Sequence, residues 1–83
     1  MDVIIKNNLS PTSFVRKHMV FNTIIGDLVS CKSRAEIEYE MKTGADIYSE
    51  YFAWGFGGSH FWLKELDSDG NACRELLFIE FKD

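Results

Sequence analysis

What the 83-residue chain lacks narrows its function first. It holds only two cysteines, Cys31 and Cys73, and they are not in a C-x-x-C spacing. A secreted domain of this size normally relies on several disulfides, so a reducing, cytoplasmic setting is expected. The N-terminal "MDVIIKNNLS" has an acidic second residue and no long apolar run, unlike a secretory leader. No stretch approaches the ~18–20 consecutive apolar residues of a membrane span. There is no internal repeat, low-complexity tract, G-x-G-x-x-G order or Walker lysine, so "GFGGSH" at 55–60 reads as flexible or closely approached backbone.

Metal and catalytic signatures are equally scarce. His18, Cys31, His60 and Cys73 include no closely spaced ligand pair of the kind a structural zinc site uses. "DSDGN" at 67–71 opens like a calcium loop, but the residue twelfth in that loop is Phe78 and not a glutamate. No metal or cofactor is expected. His18 falls on an apolar helix face and reads as a packing residue. His60 follows the glycine-rich loop with no nucleophile or acid at a recognisable spacing.

What is present is apolar and acidic. Hydrophobic residues make up 46% and aromatics 14%, which argues one folded domain over residues 1–83. Charge is uneven. Residues 1–34 carry five cations against two carboxylates, a net of +3, and residues 35–83 carry four against eleven, a net of −7. The pI near 5.0 disfavours direct contact with nucleic acid or an anionic membrane, and the acidic pole suits a basic protein.

Periodicity supplies the elements. "DVII" at 2–5 reads as an edge strand. Ser10 and Pro11 can open a helix running to about Ser30, with Phe14, His18, Phe21, Ile25 and Leu28 on one face, widened by Val15, Met19, Ile24 and Val29. Arg16, Thr23 and Asp27 mark its solvent side, with Val20 an exception. Gly26 implies close approach of a neighbour or an early helix end. "AEIEYEMK" at 35–42 carries two signals. Ser33 with Glu36 forms a capping box, and Gly44 could close a helix over 34–43. The alternation instead places Ala35, Ile37, Tyr39 and Met41 on one side of a strand and Glu36, Glu38 and Glu40 on the other, and we take the strand. "IYSEYFAW" fits a strand or a short helix. "HFWLKEL" and "CRELLFIEF" flank Asp69-Gly70, a strong hairpin signal. In the last strand Leu77, Ile79 and Phe81 share one face, and Leu76 and Phe78 the other. The expected architecture is α+β: one long N-terminal helix packed on a three- or four-stranded antiparallel meander.

In size and charge the chain resembles the small acidic proteins with which phages and mobile elements inhibit host nucleases or polymerases; no motif carries the resemblance. It implies an inhibitor or adaptor, not an enzyme. The expected partner-binding residues are the carboxylates Glu36, Glu38, Glu40, Asp46 and Glu50 with the aromatics Trp54, Phe56 and Trp62. The partner is a protein with a basic surface, or a second copy meeting the aromatic cluster. Two alternatives stay open: a small-ligand or enzymatic module around His60 and the aromatics, and a winged-helix-like DNA-binding regulator with three helices in residues 12–56.

Overall fold

The computed structural model describes residues 2–12 and 15–82, and the backbone alone of residues 2, 3 and 6–8. The element order is β1 (Asp2–Asn8), α1 (Val15–Leu28), α2 (Arg34–Thr43), α3 (Ala45–Tyr48), β2 (Phe52–Phe56), β3 (His60–Leu66) and β4 (Ala72–Lys82). The four strands form one antiparallel sheet in the order β1-β4-β3-β2. The fold is α+β as expected. The single long helix is corrected to three helices, which cross from β1 at one edge of the sheet to β2 at the other.

The hairpin signal is borne out. Asp67 Oδ1 accepts the N–H groups of Asp69 and Asn71, each at 2.9 Å. Gly70 takes a φ of +84°, which only glycine adopts without strain. A register shift opposite Leu63 and Lys64 gives β4 an extra residue there, so Leu76 joins Leu77 in the core instead of the opposite face.

Helix α1 is rotated from the expected face. Its buried residues are Lys17, Val20, Phe21, Ile24 and Leu28. Val15, Met19 and Val29 stand exposed, while His18 and Ile25 are half-buried. Phe14 lies outside the described residues. The expected face did not include Lys17; it is buried in phase with Phe21, Ile24 and Leu28, where Glu65 on β3 pairs with it at 3.0 Å. The helix also starts later than the Ser10–Pro11 signal implied. Just before it, Thr12 donates its N–H and its hydroxyl to the Glu65 carboxylate. Nothing presses on Gly26 and the helix continues past it, so its expected close contact is corrected.

The strand reading of residues 35–41 is overturned. Ser33 caps α2 and its side chain accepts the Glu36 N–H, while Glu36 reaches back to the Lys32 N–H. Gly44 closes the helix by donating to the carbonyls of Glu40 and Lys42. Ile37 and Met41, one turn apart, are fully buried, and Tyr39 between them points outward at 68% exposure. A strand would have buried Tyr39 beside them. The cap and the helix-forming residues outweigh the alternation. "IYSEYFAW" divides, its first part ending α3 and its last part opening β2.

The core lies between the helices and one sheet face, built from Phe21, Ile24, Ile37, Met41, Phe52, Phe61, Leu63 and their neighbours. Along β3 burial alternates strictly, with Phe61, Leu63 and Glu65 inside. Among the described residues no helix packs on the opposite sheet face, where the side chains are half-buried against one another. The Trp62 indole lies over Gly55, where an added Cβ would come within 2.6 Å of it. Lys64 Nζ sits 4.9 Å from the Trp62 ring, and His60 stacks on Phe78 at 4.8 Å.

Candidate functional site: an acidic helical surface

The helical assignment redistributes the glutamate row. Glu36 and Glu40, one turn apart, share a face of α2. Glu38 turns to a different side, where Arg34 meets it at 3.3 Å and Lys42 at 3.9 Å. Three carboxylates that a strand would have aligned are therefore split, with Glu38 drawn into pairs along the helix.

Glu36 and Glu40 border an open cleft of about 440 Å3, lined also by Ser30, Cys31, Ala35 and Tyr39. Asp27, at the end of α1, reaches the same region and accepts the Tyr48 hydroxyl at 2.6 Å. The local field is negative. Burial pushes the Cys31 thiol up from its ordinary range, and the charges of Glu40, Glu36 and Asp27 push it further. Burial also raises the Tyr48 hydroxyl, with the Asp27 hydrogen bond and the charges of Asp27 and Glu40 acting in the same direction. Both groups stay protonated near neutrality, so Cys31 is a poor nucleophile here. Cys31 and Cys73 are both free thiols.

The remaining expected site residues are dispersed. Asp46 is exposed in the first turn of α3, beside Ile47, itself 57% exposed. Glu50 pairs at 3.7 Å with Arg16. Trp54 and Phe56 face the helices: Trp54 meets Tyr48 edge-on at 6.5 Å, and Phe56 packs on Phe61 at 5.1 Å. Trp62 lies on the other face of the sheet. The sheet thus separates Trp62 from Trp54 and Phe56, and they form no single patch. His60 is held by its stack on Phe78, beside Gly57.

Sequence reasoning missed Tyr39 and Ile47, the exposed apolar residues of this surface. The helix reading of 34–43 carried the signal for Tyr39, since it places that ring opposite Ile37 and Met41. Arg34 was missed too. It donates to the Gly58 carbonyl at 2.6 Å and lies 5.2 Å over Phe56, tying α2 to the β2–β3 loop.

Fold and surface together describe a small α+β protein with helices on one sheet face and an acidic helical exterior. The chain belongs to the family described as a domain of unknown function, DUF8466, which matches residues 1–78. No curated protein and no solved structure matches it. Among the described residues no helix is long and apolar enough to cross a membrane, and no group of three His, Cys, Asp or Glu side chains is placed to hold a metal.

Proposed function

We propose that this chain is a small interaction protein, an inhibitor or adaptor, that presents the outer surface of α2 and α3 to a basic protein partner. The observation that carries the reading is Tyr39. A large aromatic ring stands 68% exposed on α2, lining one cleft with Glu36 and Glu40. Tyrosine is enriched at the energetic centres of protein interfaces because it brings area with little rotamer entropy. Carboxylates around it select a cationic counterpart and steer its approach. Asp46 and Ile47 repeat the pairing of charge with apolar surface on α3.

The test is affinity purification from the native host, with the parent chain and a Tyr39→Ala/Glu40→Lys variant as parallel baits. Neither side chain is in the core, so the variant should keep its fold by circular dichroism. A basic partner retained by the parent and lost by the variant supports the reading. A partner held equally by both rules this surface out.

A further inference from the structure

We infer that β2 is an open sheet edge that pairs, antiparallel and two-fold, with β2 of a second copy of this chain. This inference does not rest on the acidic surface of α2. Two hydrogen bonds fix the phase of the strand. Leu66 N–H donates to the Tyr51 carbonyl at 2.9 Å, and Gly57 N–H donates to the His60 carbonyl at 3.0 Å. In an antiparallel pair, alternate residues bond to the neighbouring strand and those between them bond outward. Ala53 and Gly55 therefore bond to β3, and Phe52, Trp54 and Phe56 direct their N–H and C=O groups away from the sheet. Among the described residues no backbone hydrogen bond reaches those outward groups.

Beyond the buried Phe52 the edge also lacks the usual protection. Native edges are guarded by charges, proline, bulges or a covering element. The other edge strand, β1, has Lys6 in its sequence and a bulge between Ile5 and Asn7. The β2 stretch "FAWGF" has no charge, no proline and no bulge. Its burial does not alternate as that of β3 does. After Phe52 every residue is partly exposed, including Trp54 and Phe56 on the helix side.

The strand is suited to its own copy. A two-fold axis through Trp54 sets Trp54 against Trp54, Phe52 against Phe56, and Ala53 against Gly55. Aromatic residues then meet aromatic on one face and small residues meet small on the other, a favourable cross-strand arrangement. The two ends carry opposite charges, each already held by a partner in its own chain, Glu50 by Arg16 and Arg34 by Glu38. Glu50, 52% exposed, precedes the strand, and Arg34 sits over Phe56 at its far end. Antiparallel pairing brings Glu50 of each copy towards Arg34 of the other. The paired stretch is short, so the dimer belongs to the weak, concentration-dependent class.

Amide exchange by NMR on the full chain, read alongside sedimentation equilibrium, tests this. In dilute solution the amides of Trp54 and Phe56 should exchange freely while those of Ala53, Gly55 and the buried Phe52 are protected. At about 1 mM protein the first two should gain protection as the mass shifts to dimer. Glu50→Arg or Arg34→Glu alone should weaken dimerisation roughly three- to tenfold, the scale of exposed ion pairs, and the double exchange should restore it. A monomer at about 1 mM overturns the inference. So does a dimer in which these amides stay unprotected. Protection gained only when another protein is added also overturns it, because the edge then takes a foreign strand.

Discussion

Lys17 and Glu65 are 48 residues apart in sequence and 3.0 Å apart in space. The Lys17 side chain is 8% exposed and that of Glu65 2%. Such a pair stands only when every polar atom is satisfied. Lys17 also donates to the Leu66 carbonyl, and Glu65 accepts from Thr12. Burial pushes the Glu65 carboxyl up, but the hydrogen bonds from Lys17 and Thr12 and the Lys17 charge more than offset it, and its pKa is lowered from 4.5. Its folded value is therefore below its unfolded one. The pair stabilises fully above the ordinary carboxylate range, and that contribution is lost as pH falls from about 4.5 through the lowered folded value. Glu65→Gln leaves Lys17 buried without a counter-charge and should cost ~3–5 kcal/mol in urea unfolding at pH 7. The acid-side slope between pH ~5 and ~2 should flatten in the same variant. An unchanged slope would assign the acid sensitivity to other carboxylates. Gly70 is a separate case at this scale. An added Cβ meets nothing within 4 Å, so Gly70→Val tests φ alone. It should cost ~1–2 kcal/mol, and an unchanged melting curve would remove the left-handed turn.

At the scale of elements, α2 shows how closely two signals can compete. Ser33→Ala removes the oxygen that accepts the Glu36 N–H and should destabilise by ~1 kcal/mol. Gly26→Ala, in open space within α1, should act the other way and raise stability by ~0.4–1 kcal/mol. Thermal melts of both variants check the pair, and a destabilising Gly26→Ala would mean that something does pack there. Sequence alone made the last hairpin, the N-terminal edge strand and the apolar centre of α1 legible, because each rests on local chemistry: Asp69-Gly70, a β-branched run, Phe21 with Leu28. The facing of α1 was not legible locally, since burying Lys17 depends on Glu65 from a distant strand. The clue was faint but present. Lys17 lies in phase with Phe21, Ile24 and Leu28, and Glu65 in phase with Phe61 and Leu63. The glutamate surface was only half legible. Its acidity was plain, but its geometry depended on a helix-or-strand choice that short alternation with a capping box leaves finely balanced.

Across the whole molecule, the two surfaces differ in what would hold a partner to them, and salt separates them. Contact through Glu36, Glu40 and Asp46 is electrostatic and solvent-facing. It should weaken steeply as the screening length shortens from ~10 Å at 0.1 M salt to ~3 Å at 1 M. Pairing along β2 is made by backbone hydrogen bonds and aromatic contacts, with charge only at its ends. Two copies of net charge −4 repel each other at long range, and salt relieves that repulsion. Self-association should therefore hold or tighten over the same salt range in which the basic partner is released. The fold itself should change little, because its principal ion pair is buried and screened far less than surface charge. Sedimentation of the free chain and a binding titration of the purified partner, both run from ~0.05 to ~0.5 M salt, give the comparison. Opposite slopes assign the partner to the acidic helices and the second copy to the sheet edge. If self-association falls with salt as steeply as partner binding, then charge and not the open backbone of Trp54 and Phe56 joins the copies, and the β2 pairing is wrong.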